Sequence, residues 1–451
     1  MDTIFNTKAT IHSSKIAISA ILAVAIWALI APDVVFAQGA ISAVEVVSTR
    51  LDMLWVIICA MLIFGMQLGF LCFTLGCIRE KNTTVVALKN VGDWVVVTIV
   101  YFLFGFAINF GLSDSSFIGK GFFLGNGLDE PREIMYFVFQ LAFAGTSATI
   151  VSGAMAERTS FKAYLAFMIC MGCFIYPMFS YWVWGNGLVY SNQPWLQQLG
   201  FRDFAGASVV HNIGGWSSLV GAWIVGPRIG RYKSDGTLCN LERTNSPYWL
   251  CVGTFILWVG WWGFNGGSFL EWNEQVPGVI LNTNIAGAVG GIFAFSHCCL
   301  FQRNEDIYAK SIGGILGGLV AITACADVVS PVSATVIGLL AGIIHNLSYD
   351  LVLKKLRLDD VVAAVPVHGF CGAWGLLCVA LFGKPESLPA GSMLEQLLSQ
   401  VIGIVVCFAW SVGTSLLCFF LIKSSVGIRV PAMHEIRGLK VSELDSDEDA
   451  E

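Results

Sequence analysis

Apolar runs of membrane-spanning length recur along this chain from residue 52 to residue 423, separated by short polar connections. A hydrocarbon core offers no water to backbone N–H and C=O groups, so such runs can become only helices or strands of a closed barrel. A barrel strand needs about 10 residues and a helix about 20; these runs have the helical length. Only 12% of the residues are charged and 56% are hydrophobic, against about 25% charged in a soluble domain. The reading is an all-α polytopic membrane protein in a lipid bilayer. Eleven spans are predicted, roughly 52–77, 83–112, 134–156, 161–187, 204–226, 247–272, 276–301, 308–327, 331–353, 361–383 and 395–423. The longest connections are 113–133 and 227–246. No basic block or nucleic-acid motif is visible, so no nucleic-acid partner is expected.

Charge sets the orientation. Alternate connections and the tail hold 17 Lys and Arg residues, from Arg79/Lys81 to Arg437/Lys440, and the opposite connections hold 4, namely Lys120, Arg132, Arg202 and Lys384. Because Lys and Arg stay inside, the mature N-terminus is placed outside and the C-terminus in the cytoplasm, across the inner (cytoplasmic) membrane. Residues 1–37 read as a cleaved signal peptide: Lys8 and Lys15 precede the apolar run 16–31, and Val35-Phe36-Ala37 offers small residues before Gln38. The alternative is an uncleaved first helix. The membrane domain then covers 38–426 and a cytoplasmic tail 427–451, whose acidic end is expected to be flexible.

Two histidines sit within apolar spans, each eight residues after an aspartate: Asp203 to His211 in the fifth span and Asp360 to His368 in the tenth. An ionisable residue in a membrane span is functional by default. The same element once in each half points to an inverted repeat, about 52–226 and 247–383, with the eleventh helix (395–423) outside it. Each histidine is expected about 12 Å down its helix, near the midplane of a ~30 Å core. Pseudo-symmetry would bring the pair together, one imidazole donating to the other. Two satisfied core histidines are the bland alternative. The aspartates suit helix N-caps or a direct place in the pathway.

Aromatic residues are the second signal. Tyr181-Trp182-Val183-Trp184 closes span four, Phe139 and Phe143 lie in span three, and Trp261 to Ser268 ends span six. They read as an interfacial belt or as a cation–π vestibule with a phenylalanine gate below it. Glycines such as Gly290, Gly314 and Gly318 let helices approach closely. The fourteen cysteines are expected to be free, buried thiols. Histidines on facing helices could ligate haem, but His12, His297, His345 and His434 show no matching pattern and no metal site or cofactor is expected.

With these residues in view, the chain resembles the ammonium transporter family (Amt/Mep, distantly Rh). The matching stretches are Met66-Gln67-Leu68-Gly69-Phe70, Gly153 to Arg158, Asp203 to His211, Gly263 to Ser268 and Asp360 to His368-Gly369. The resemblance implies a homotrimer with one pore per subunit, and no enzymatic activity. It implies an outer recruitment site for ammonium at Trp184, Ser268 and Phe143, with Asp203 nearby in a structural and electrostatic role. It also implies a phenylalanine gate of Phe143 and Phe264 above pore twin histidines His211 and His368. Ammonium would lose its proton near the gate, ammonia would pass the histidines, and the proton would cross separately. Asn212 after the first histidine departs from the pattern. The tail opens as Gly427-Ile428-Arg429-Val430 but lacks an acidic run and a closing His-Gly-Glu, which puts contact with a cytoplasmic nitrogen-signalling protein in question. The rival readings are an ammonium sensor with little flux and a bis-histidine haem protein.

Overall fold

A computed structural model describes residues 34–188, 193–239, 241, 247–303 and 306–439. The described residues are helical apart from turns and two isolated bridges, Thr159 with Arg429 and Tyr232 with Leu238. The chain divides into two compact units, residues 1–54 and 55–451. The described part of the first is helix from Val34 onward, exposed over residues 44–50. Of the expected signal peptide only residues 34–37 are described.

The long elements are α1 (Val34–Cys77), α2 (Glu80–Phe110), α3 (Pro131–Ala154), α4 (Phe161–Trp184), α5 (207–225), α6 (Pro247–Gly266), α7 (Val276–Phe301), α8 (Ile307–Thr323), α9 (Pro331–Lys355), α10 (Val365–Phe382) and α11 (Met393–Ser425). Among the described residues, eight of them (α1 from Val44, α2, α3, α4, α7, α9, α10 and α11) are long and apolar enough to cross a membrane. Local sequence sets their starts. Pro131 and Pro331 occupy first turns, where a missing N–H costs nothing. Ser392 and Glu395 form a capping box at α11.

Small residues set the tightest packing. A Cβ on Gly318 of α8 would lie 2.1 Å from the Ala286 carbonyl of α7, and one on Gly342 of α9 would lie 2.2 Å from the Gly290 carbonyl. These three helices pack backbone against backbone, as the glycine runs predict. Among the described residues the fourteen cysteines form no disulfide, but only seven are buried; five are half-buried and Cys251 and Cys299 are exposed, so the expected burial holds for half of them.

Two expectations need correction. The histidine helices start at residues 207 and 365, not at 204 and 361. Each aspartate is instead followed by a short non-helical turn through a left-handed residue, Gly206 (φ +106°) or Ala363 (φ +57°). The histidines therefore lie in opening turns, not some 12 Å down a helix. Both opening turns, Ala207–Asn212 and Val365–Phe370, are π-helical, a wide turn found mostly at functional sites.

Candidate permeation site

Asp203 is buried and builds the first turn. Its Oδ1 accepts from the amides of Gly206 (3.0 Å) and Ala207 (2.8 Å). Its Oδ2 accepts from the Ser208 amide (2.7 Å), the Ser208 hydroxyl (2.6 Å) and the Val209 amide (3.2 Å). Gly206 permits the backward fold, because φ near +100° is free only to glycine. In the second turn Asp360 Oδ2 accepts from Val365 at 2.8 Å, while Oδ1 is buried with no hydrogen-bond partner among the described residues. The sequence explains the shortfall. Where the first turn has Ser208 and Val209, the second has Val365 and Pro366, which lack the hydroxyl and the amide.

The two turns meet. A Cβ on Gly215 would lie 2.5 Å from the Gly369 amide nitrogen, so the backbones touch. Asn212 Nδ2 donates to the carbonyls of His368 and Gly369, both at 2.8 Å. The unexpected polar neighbour of the first histidine is thus a clasp between halves. It binds carbonyls of the facing π-turn, leaving His211 and His368 ring to ring with centroids 5.1 Å apart and Nδ1 atoms 3.1 Å apart. One imidazole donates and the other accepts. A metal between two histidine nitrogens would hold them about 4 Å apart. Here the Nδ1 atoms of the pair are within hydrogen-bonding distance of each other, 3.1 Å apart.

A column of rings continues from the pair. Phe264 stacks on His211 (5.3 Å) and on Phe143 (4.2 Å, 25° between planes), and Trp184 meets Phe143 edge-on at 5.9 Å. Above lies a vestibule of about 500 Å³ lined by Phe143, Trp184, Ser268, Gln140, Asn186 and Tyr136. Below, a cavity of about 340 Å³ is lined by His368, Phe70 and Thr149, and shares Phe73 and Val362 with a wider cavity beyond. The order is aromatic vestibule, stacked phenylalanines, paired imidazoles, apolar cavity.

Comparison with known proteins decides the lineage. A sequence model of the Ammonium Transporter Family matches residues 54–448. This chain belongs to that family. Ammonium transporter Amt2 of Archaeoglobus fulgidus is 38% identical over 408 residues, covering 87% of this chain and 86% of the relative. A solved structure described as a Sensor Amt Protein is 41% identical, with a TM-score of 0.85 over 88% of this chain and 99% of its own. Mep2 of Saccharomyces cerevisiae is 25% identical, with a TM-score of 0.76 over 85% and 88%. The protein is thus a multi-pass membrane protein of a transporter family.

In this ammonium transporter family member, the predicted residues sort clearly. His211, His368, Phe143, Phe264, Trp184 and Ser268 come together along one line. Asp203 does not line the vestibule; it reaches Trp184 only through its backbone carbonyl, which accepts from Nε1 at 2.8 Å. Ser268 donates its hydroxyl to the Phe264 carbonyl at 2.8 Å. Gln140 and Asn186 were not singled out in the sequence. Gln140 lies within the Phe139 to Phe143 run, and a polar residue one turn from a gate phenylalanine was the available signal.

The end of the molecule opposite the vestibule carries charge. A cavity of about 800 Å³ is lined by Arg79, Arg228, Arg231, Tyr349 and Asp360. Buried Glu157 pairs with Arg79 (2.9 Å) and with Arg228. Arg228 also forks onto Asp359 at 2.7 and 2.9 Å, and Arg231 joins at 3.3 Å. Burial alone would push both carboxyls up, yet the arginines hold Glu157 below the ordinary range and Asp359 far below it. Burial pulls Arg158 down to about 10. Asp360, one residue from Asp359, goes the other way: burial pushes it up to about 6 against the pull of its backbone amides and Arg158.

The tail docks on this end. Val430 donates to Arg158 O (3.0 Å) and Ser160 to Ile428 O (2.9 Å). Glu435 accepts from the Ile229 amide (2.6 Å) and from Arg429 (2.7 Å), and the Leu439 amide donates to Asn82 (2.9 Å). Residues 427–439 therefore tie the start of α2 to the loops after α3 and α5. The acidic end of the tail lies outside the described residues.

Proposed function

We propose that this protein moves ammonium across the cytoplasmic membrane by recruiting NH4+, taking its proton near the aromatic stack and conducting NH3 past the twin histidines while the proton crosses separately. The observation that carries the reading is the direct contact of His211 and His368 beneath stacked Phe143 and Phe264, between a vestibule and a lower cavity. A bare cation in a dry pore is costly, and the closed ring stack offers it no hydration. In the vestibule, Trp184 has committed its N–H to the Asp203 carbonyl, so its π system is what remains to attract a small cation. Ser268 and Gln140 supply oxygen acceptors, and Gln140 Oε1 has no partner among the described residues. Asp203 acts by holding the first turn.

In this reading all eleven helical elements cross the membrane as two inverted five-helix repeats plus α11, with the vestibule outside, the arginine cavity in the cytoplasm and residues 1–37 as a signal peptide. The subunit works in a homotrimer, and the docked tail is the surface a cytoplasmic nitrogen-signalling protein would meet. The test is ammonium-evoked current from purified protein in liposomes, with a potassium pulse as control. Current with ammonium and none with potassium is expected. A second reading, an ammonium sensor with little flux, is favoured by the likeness to a structure described as a Sensor Amt Protein. Folded protein that binds ammonium but gives no current would replace the first reading with the second.

A further inference from the structure

The two aspartate turns are related in sequence yet only one is complete. Asp203 has a donor for every oxygen. Asp360, 3% exposed, lines the cytoplasmic cavity with Oδ1 unpartnered. A buried carboxylate lacking donors stays a base that can take and give a proton. It sits just before the helix that carries His368, and the cavity it lines and the one below His368 are neighbours that share Phe73 and Val362 as lining.

We propose that Asp360 is the proton-exchanging group of the cytoplasmic mouth, a role that rests on the transport reading above. The Asp360 carboxylate takes the proton that has crossed along His211 and His368. The carboxylic acid then gives that proton to the lone pair of an ammonia molecule leaving the lower cavity. The O–H bond breaks, an N–H bond forms, ammonium enters the cytoplasm and the carboxylate is restored. The ordinary carboxylate range lies too low for this exchange, and burial lifts Asp360 out of it, to about 6.

The groups around it fit the role. Arg79, Arg228 and Arg231 line the same cavity, but Arg228 is committed to Glu157 and Asp359, Arg79 to Glu157, and Arg231 to Asp359. Arg158 bonds four backbone carbonyls, among them Asp359 O at 2.6 Å. Among the described residues no guanidinium is paired with Asp360. Tyr349 and Cys77 complete the titratable lining. His345 stands behind Gly313, where an added Cβ would lie 2.2 Å from Nε2.

The test uses full-length protein in liposomes with ammonium pulses at several internal pH values. Wild type should show a step in current near internal pH 6, falling on the acid side, where the carboxyl is already protonated from the cytoplasmic face. Asp360→Asn keeps an oxygen for the Val365 amide and should lose about 100-fold of the current and the step. A second variant, Val365→Ser with Pro366→Val, supplies the hydroxyl and amide that complete Asp203. It keeps the acid, and should move the step to lower pH and reduce the current. If Asp360→Asn does not fold, the second variant decides. Wild-type current and pH profile in the variants would overturn this proposal alone. No ammonium current from wild type would overturn the transport reading, and this proposal with it.

Discussion

The turn that begins at Asp203 and the turn that begins at Asp360 share a plan and differ in how far it is carried out. Both have an aspartate, a left-handed residue three places on, an amide five places on that returns to the carboxylate, and a histidine at the eighth. The first has Gly206 at the left-handed position, and the second has Ala363, where a Cβ costs about 1–2 kcal/mol. The first gathers five hydrogen bonds on its carboxylate and the second one. One turn is built for rigidity. The other leaves a carboxyl at the edge of a cavity. Repetition within a chain thus fixes the backbone path while a few side chains assign each copy its chemistry.

The largest test sets the histidines against each other. His211 lies between Phe264 and His368, whereas His368 faces the lower cavity. His211→Ala should cut ammonium current by about 100-fold or more or admit potassium. Unchanged current and selectivity would show that the imidazole pair is mere packing.

Next comes the difference between the caps. Asp203→Ala orphans five donors in and around a buried turn and should cost more than about 3 kcal/mol. Asp360→Ala orphans one, about 1–3 kcal/mol. Unfolding in detergent measures both. Equal losses would break the comparison.

Asp359 and Asp360 should show opposite pH signs. Asp359 is held below its unfolded value, so its stabilisation is present above pH ~4 and is lost as pH falls further. Asp360 is raised to about 6. Its contribution is complete below pH ~4 and is lost as pH rises through 6. Replacing Asp360 with Asn should therefore flatten the stability profile between about pH 4 and 6, and replacing Asp359 should not.

The smallest effect is at the left-handed positions. Ala363→Gly should stabilise by about 0.5–1 kcal/mol. Gly206→Ala should destabilise by more than the conformational term, because its Cβ would meet Trp184 at 2.9 Å and Val210 at 3.0 Å. Melting temperatures of the pair suffice to check the asymmetry.

Much of this was legible in the sequence. Apolar length gave the helices and duplication singled out the histidines; the aromatic residues alone left belt and vestibule open, and only the family resemblance assigned Phe143, Phe264 and Trp184. Helix starts were misplaced because Asp203 and Asp360 look like ordinary N-caps, and nothing local announces that Ala363 will adopt φ +57°. The clasp of Asn212 depends on carbonyls 156 and 157 residues away. The tail read as polar with a flexible acidic end, and the docking of residues 427–439 was not legible, because its partners Asn82, Arg158 and Ile229 lie at the start of α2 and in two loops far away in sequence. Asp360's orphaned oxygen was readable only by comparing Val365 and Pro366 with Ser208 and Val209.

The π-turns carry a consequence for reading frame. A π-turn accommodates one more residue than an α-turn over the same length, so each histidine's bearing depends on a surplus residue being retained. Deleting a single residue from 207–210 or from 365–367 would close the turn to α, leaving the flanking segments on their bearings while the histidine within the turn loses its own.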